Sequence, residues 1–383
     1  MFNKKEICDK WLKNKTINPE TSRKIKENGT VFKELLKKCS LNQIEKKENK
    51  EHKEHKDIYL KNYISSIKHK NNCLKLYKKI NKTLIYKIGN DIILDKILDK
   101  SGIVFLGHYN HYNFTVKILE KNTINNYELV ILKELTKKVI ELKCPHFIFN
   151  YGYLKCVKLN IPTDETKYYP SIINKNNNLY FQINKLESGN LNNILKLFHD
   201  NNDNVKILLN TLIQLLFSIM FFHKYINAFH CNTHCNNFLY HKIRSGGYFH
   251  YNIYGKDYYL ENIGYLWVMS DFNSIKPFID SKEINNNKFG NLISFIPAIT
   301  DYEILINELL KYQDTLPNII KNIIIEIKIK VFNKYNKNVN SFLLQSIDND
   351  ILNILIKFIP TLTTINNPSK IINKTPFIIL ETK

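Results

Sequence analysis

The hydrophobic pattern of this chain changes period at ESGNL (187–191), and that change limits the architectures open to it. N-terminal to it, from about residue 86, short β-rich runs (IYKIG, DIILDKIL, GIVFLGHY and NFTVKIL) alternate with turn residues, the pattern of an antiparallel meander. A helical stretch follows, YELVILKELTKKVIEL, with Leu129, Leu132, Leu135 and Val139 along one face, then two more strand-like segments, GYLKCVKL and LYFQINKL. C-terminal to the change the runs are helical: NILKLFHD, VKILLNTLIQLLFSIMFFHKY, YEILINELLKY, IIKNIIIEIKIKVFNKY and ILNILIKFI. The expectation is an α+β fold in two lobes, a β-rich N-lobe over 86–186 and a mainly helical C-lobe over 187–383, with an insertion at about 241–264.

Residues 1–85 read as a lysine-rich, partly helical N-terminal extension containing the low-complexity run EKKENKEHKEHKD (45–57), a solvated helix or tether. The formal charge of +21 points towards anionic partners, but of 56 basic residues only Arg23 and Arg244 are arginine, and the lysines are spread along the chain. Base and phosphate readout favour arginine's planar fork, so no specific nucleic-acid partner is expected. Seven cysteines at irregular spacing are unlike the framework of a small secreted domain and fit a reducing compartment. The N-terminus MFNKKEICDKWLKNK has no apolar run of signal-peptide length, and no segment reaches the roughly 18 uninterrupted apolar residues that span a bilayer, so the chain is expected to be intracellular and free of membrane.

Several motifs carry chemistry, and they arrive in a fixed order. LDKSGIV supplies Gly102 and Val104 in a turn between strands; FTVKIL places Lys117 between apolar Val116 and Ile118; Glu128 opens the apolar helix; Glu187 stands at the hinge. Then come His230-Cys231-Asn232-Thr233-His234-Cys235-Asn236-Asn237, VMSDFNSI with Asp271 and Phe272, and Asp301 at the head of YEILINELL. Phosphoryl transfer needs a lid on the phosphates, a lysine upon them, oxygen ligands for magnesium and a base for the acceptor hydroxyl.

These motifs, spanning roughly residues 90–310, resemble those of a eukaryotic-type protein kinase domain. The abundance of Lys, Asn, Ile and Tyr, which AT-rich coding produces, and the long insertion are similar to the divergent serine/threonine kinases of large DNA viruses, which would place the protein in a host cytoplasm or a virion. The resemblance implies that ATP and magnesium are bound: Gly102 and Val104 in the lid, Lys117 on the phosphates and paired with Glu128, Asn237 and Asp271 on Mg2+, and Glu187 beside the nucleotide. In the catalytic-loop pattern H-R-D-x-x-x-x-N, His230 is structural, and Asn232 stands where the catalytic aspartate belongs. Asn232 can orient a hydroxyl but cannot take its proton as a carboxylate does.

Further departures are Ile97 and Asp99 at two lid glycine positions, Cys231 for the loop arginine, Asn273 for the glycine after Phe272, and no A-P-E element before Asp301. Phosphoryl transfer to protein serine or threonine is therefore expected to be weak or lost. The alternatives are a pseudokinase scaffold for a protein partner and a small-molecule phosphotransferase. A zinc site built from His230, Cys231, His234 and Cys235, with His223 or His241, is a competing reading of the loop, although four ligands within six residues cannot all reach one tetrahedral ion.

Overall fold

Alternation of apolar and polar residues begins at Leu74 and gives seven strands that join in one antiparallel sheet. They are β1 (Leu74–Ile80), β2 (Thr83–Ile88), β3 (Ile92–Ile97), β4 (Val104–Tyr109), β5 (Tyr112–Glu120), β6 (Asn150–Val157) and β7 (Asn178–Lys185), in the spatial order β1-β2-β3-β4-β5-β7-β6. The structure, a computed structural model, describes residues 17–19, 21–25, 29–32, 34–35, 57–68, 70–80, 83–99, 103–157, 159, 168, 178–196, 202–278, 297–335, 341–364, 368–373 and 375–381.

The chain divides into two compact units, Met1–Ile67 and Lys68–Lys383. In the first, Ile17 and Lys24 form an antiparallel bridge around a turn in which the Ser22 N–H donates to the Asn18 carbonyl at 2.7 Å. Residues 57–67 of that unit are helical and bury Leu60 and Ile64. Of the charged run at 45–57, residues 45–56 lie outside the described residues.

In the second unit the sheet takes in two strands that the sequence reading assigned to the N-terminal extension, since residue 86 falls inside β2. The physical reason is that β1 is an edge strand: after buried Leu74 its residues are mostly exposed and rich in lysine, so it reads as solvated chain. Ile88, Ile92, Leu94, Phe105, Phe114, Val116, Ile118, Phe181 and Ile183 are buried within the sheet region.

The sheet curls until its two edges meet. Just before β1, Asn71 forms a parallel bridge with Lys155 of β6, and the Asn72 N–H donates to the Lys155 carbonyl at 2.7 Å. The Asn71 side chain closes the seam further, accepting from the Val157 N–H at 2.8 Å and donating to its carbonyl at 3.0 Å. Cys73 and Cys156, whose spacing of 83 residues gave no reason to pair them, form a disulfide across this seam. Cys144, Cys231 and Cys235 remain thiols.

Between β5 and β6 runs α1 (Thr123–Leu142), started by Asn122, whose side chain accepts from the Asn125 N–H, and burying Glu128, Leu129, Ile131, Leu132 and Leu135. Beyond β7 the chain is mainly helical: a short α2 (Leu191–Leu195), α3 (Asn202–Ile226), α4 (Thr300–Leu310), α5 (Asn318–Ile327) and α6 (Ser341–Phe358). α3 is long and apolar enough to cross a membrane although Asn210 and Gln214 interrupt its apolar run, and 78% of its apolar window is buried in this unit. Leu212, Leu216, Phe217, Met220 and Phe221 belong to the hydrophobic core that α3, α4, α5 and α6 share.

Short strands thread this helical part: β8 (Gly189–Asn190), β9 (Ala228–Phe229), β10 (Phe238–Lys242), β11 (Tyr248–Ile253), β12 (Lys256–Glu261), β13 (Tyr265–Met269), β14 (Lys276–Pro277) and β15 (Phe377–Leu380). The expected insertion is therefore ordered. β11 and β12 form a hairpin to which β15 adds a parallel third strand, so the end of the described chain locks the insertion in place. Gly247 precedes the hairpin at φ +77°, where a Cβ would lie 2.5 Å from the Lys370 carbonyl oxygen, so a side chain there would have to displace backbone.

Candidate functional site

β5 alternates so that Phe114, Val116 and Ile118 are buried on one side and Lys117 turns to the other. There its ammonium lies 3.0 Å from Glu128 Oε1 on α1 and 2.7 Å from Asp271 Oδ1 just after β13. Glu128, 1% exposed, faces the lysine, whereas Glu134 on the same helix is exposed. Burial works against the charge on Lys117, but the two carboxylates outweigh it and hold its pKa above the ordinary lysine value. Val104 on β4 stands directly opposite Lys117 in the ladder, and Gly102 lies outside the described residues.

Asp271 adopts φ +63° and Cys231 φ +57°, left-handed values that cost a non-glycine residue on the order of 1 kcal/mol and persist where the surroundings impose them. Asn273, which stands in place of a glycine, has no such φ. Phe272 is buried, stacked on Phe222 at 5.7 Å between ring centres and edge-on to His230 at 5.2 Å.

The 230–237 loop is held by Asp301. Its carboxylate accepts the backbone N–H of His230 at 2.8 Å and of Cys231 at 2.7 Å, and it pairs with His223 Nε2 at 2.7 Å. Burial opposes this charge, but the hydrogen bond and charge of His223, helped by His230, keep the Asp301 pKa below its ordinary value. Asp301 is not the cap of α4, which starts at Thr300 with Ile299 at the capping position. His230 Nε2 meets the Ser270 carbonyl at 3.0 Å, which ties the loop to the segment leading into Asp271.

Asn237 is buried, and its Nδ2 donates to the Asn232 carbonyl at 2.9 Å. That bond fixes the amide, and its Oδ1 accepts no hydrogen bond from a described residue. Asp271 is similar: Oδ1 is taken by Lys117, and Oδ2 bonds no described group. Two oxygen ligands presented this way suit Mg2+, a hard cation that keeps waters and binds phosphate oxygens beside one or two protein groups. The side chain of Asn232 is partly buried and bonds no described residue.

Two features were missed in the sequence. Asp99 Oδ1 accepts the backbone N–H groups of Ile103 and Val104 at 3.1 and 2.9 Å, so donors of the segment expected to form a lid are already occupied. His223, weighed as a zinc ligand, is the partner of Asp301, a pairing across 78 residues that no local spacing encodes. His234 Nδ1 accepts the Asn236 N–H at 3.2 Å, and among the described residues no three His, Cys, Asp or Glu side chains are placed to hold a metal ion. Residues 279–296, the stretch before Asp301 that lacks an A-P-E element in sequence, lie outside the described residues.

The fold and site thus define a mixed α+β protein with a curled antiparallel sheet, in which a lysine on β5 is bound by two carboxylates from separate elements. Comparison with known families matches residues 7–40 to the 2-cysteine adaptor domain, a span that contains Cys8 and Cys39. No curated protein matches the chain.

Proposed function

We propose that the unit Lys68–Lys383 is a bilobal protein kinase-like domain that binds ATP with magnesium and transfers phosphate to protein serine or threonine weakly, because Asn232 stands in place of a base. The observation that carries this reading is the Lys117 ammonium bound between Glu128 and Asp271, residues 11 and 154 positions away in the chain. A lysine so held is fixed in space and has phosphate as its natural next ligand. Asn237 Oδ1 and Asp271 are the groups that would hold magnesium, which supplies neutralisation of phosphate charge when bound. Val104 and Glu187 flank the nucleotide, and His230 and Asp301 hold the loop on which Asn232 would orient the acceptor hydroxyl.

A second reading, a scaffold gated by nucleotide for a protein partner, is favoured by two observations. Asp99 occupies lid donors and puts a carboxylate where phosphate oxygens would approach, and residues 7–40 are similar to a domain whose name denotes an adaptor. Both readings require nucleotide. Thermal unfolding with and without millimolar Mg-ATP tests this: binding at a concentration tenfold above Kd adds about 1.4 kcal/mol to the folded state. Lys117→Met should abolish the shift. A parent protein with an unmoved midpoint in millimolar Mg-ATP overturns both readings.

A further inference from the structure

A lysine-rich strip opens the second unit. From Lys68 to Asn90 the chain carries seven lysines and neither aspartate nor glutamate. β1 and β2 lie within this stretch, and their ladder sets Lys75 directly opposite Lys87. Like charges facing each other across a pair of strands repel and weaken the sheet. Tyr77, 45% exposed, stands beside them: the Lys87 ammonium lies 4.1 Å from its ring centre and that of Lys78 lies 5.2 Å away. Lys79 sits over the ring of Tyr168 at 4.8 Å, and across the seam β6 adds exposed Lys155, its ammonium 5.8 Å from the ring of Tyr153.

None of Lys75, Lys78, Lys79, Lys87 and Lys155 pairs with a carboxylate of a described residue. Of the acids that follow in the chain, Asp91 lies in the turn between β2 and β3, Asp95 is bound by His108 at 2.7 Å, and Asp99 holds the N–H groups of Ile103 and Val104. Lysines are common on edge strands, where they discourage pairing with another chain, and β1 has that use for them. Lys87, however, is on β2, whose two sides are taken by β1 and β3. Edge protection accounts neither for it nor for its place opposite Lys75. The repulsion between the two is relieved when an anion binds beside them.

We infer that this strip binds single-stranded nucleic acid without regard to sequence. Lysines meet backbone phosphates as point charges, and an exposed tyrosine ring among them gives a base a face to stack on. The scarcity of arginine argues against base readout, but contacts to phosphates and ring faces alone do not need it. An anionic membrane shares the charge, yet binding there draws on a broad apolar face, and the described part of residues 68–90 exposes only two large apolar side chains, Tyr77 and Ile80. The inference is independent of the nucleotide reading above.

The test is fluorescence anisotropy of a labelled oligodeoxythymidine of roughly 20 nucleotides with the full chain, without ATP, between about 50 and 200 mM salt. On a single strand each lysine–phosphate contact adds about 0.7 to the slope with which log affinity falls against log salt. Lys75→Glu gives Lys87 a partner of opposite charge, so the thermal midpoint should hold or rise while the slope becomes shallower by about 1.4, for two lost contacts. Tyr77→Ala should weaken binding roughly fivefold or more at an unchanged slope. Lys256→Ala combined with Lys328→Ala, at exposed lysines on β12 and at the end of α5, lowers the net charge as much as Lys75→Glu does and should keep the parent's slope. A Lys75→Glu slope equal to the parent's, or an equal loss in the Lys256/Lys328 control, overturns the assignment by making the attraction one of net charge alone. A parent that binds phosphatidylserine vesicles but not the oligonucleotide overturns it in favour of a membrane, and a parent that binds neither overturns it outright.

Discussion

Asn232 occupies a loop held on several sides: His230 is fixed on Ser270, Asn237 is oriented by the Asn232 carbonyl itself, and Asp301 holds two successive N–H groups of the turn. Because the Asn232 side chain bonds no described residue, Asn232→Asp should leave folding almost unchanged and, on the kinase-like reading proposed above, give the acceptor hydroxyl a proton acceptor. Phosphate transfer to a generic basic protein should rise by roughly 10²–10⁴ in a radiolabel assay, the ordinary worth of a general base. Equal Mg-ATP affinity with no gain in transfer would assign the deficit to the Asp99-occupied lid or to the substrate class. At this scale one pairing was legible before the structure: Lys117 on its strand and Glu128 at the head of the apolar helix lie 3.0 Å apart, while the roles assigned to Asn237, Asp271 and Asp301 belong to the proposal. Asp99 and His223 were not legible in their roles. What they do depends on which backbone N–H or carboxylate the fold brings to them, and an isolated aspartate or histidine carries no mark of that.

Elements were read best where periodicity is strong, as in α1 and α3, and worst where an edge strand looks like solvated chain, as in β1. The seam between residues 71–73 and β6 was invisible for another reason: it depends on the accumulated curl of seven strands, a property of none of them singly. The disulfide there closes a loop of 83 residues that contains β1 to β5 and α1, so its loss frees a large part of the chain in the unfolded state. In the chain-entropy view such a crosslink contributes about 4 kcal/mol, with wide scatter. Cys73→Ser should therefore lower the thermal midpoint by several degrees, and reductant should lower the parent's midpoint to the same value. Cys144 should be silent under the same treatment, since burial raises its pKa well above the thiol range. A parent indifferent to reductant and equal to Cys73→Ser would show that the seam's backbone and Asn71 hydrogen bonds hold the edges alone.

Over the whole second unit, buried ionisable groups set how stability varies with pH, and they do not all act in one direction. Glu187, at about 8 in the folded protein against 4.5 ordinarily, holds a proton that the unfolded chain has released, so its contribution is present below 4.5 and lost as pH rises through 8. Asp348, buried and hydrogen-bonded by Tyr302 and Tyr254, is raised from 3.8 to about 6 and acts in the same sense at lower pH. His146 is opposite: sealed between the Trp267 carbonyl and the Tyr251 hydroxyl, it is lowered by burial from 6.5 to about 4. Its contribution is complete above 6.5 and is lost as pH falls towards 4, because the unfolded chain takes up a proton that the folded state refuses. His230 is lowered by burial and acts the same way. From pH 9 to 6.5 only the Glu187 proton distinguishes the states among these four groups, so the thermal midpoint should rise as the buffer is acidified. Between about 6 and 4.5 two acids oppose two histidines, and the midpoint should be nearly level. Below about 4 the acids have stopped contributing and Asp301, lowered by its histidine partners, begins to be protonated, so stability should fall steeply. His146→Gln removes one opposing histidine and keeps a hydrogen-bonding side chain between Trp267 and Tyr251. Its midpoint should go on rising between pH 6.5 and 4.5, where the parent's is level. Scanning calorimetry across pH 3.5–9 reads both curves; a parent midpoint that climbs steadily from pH 6 to 9 would show that Glu187 is not the buried, protonated acid on which the alkaline limb depends.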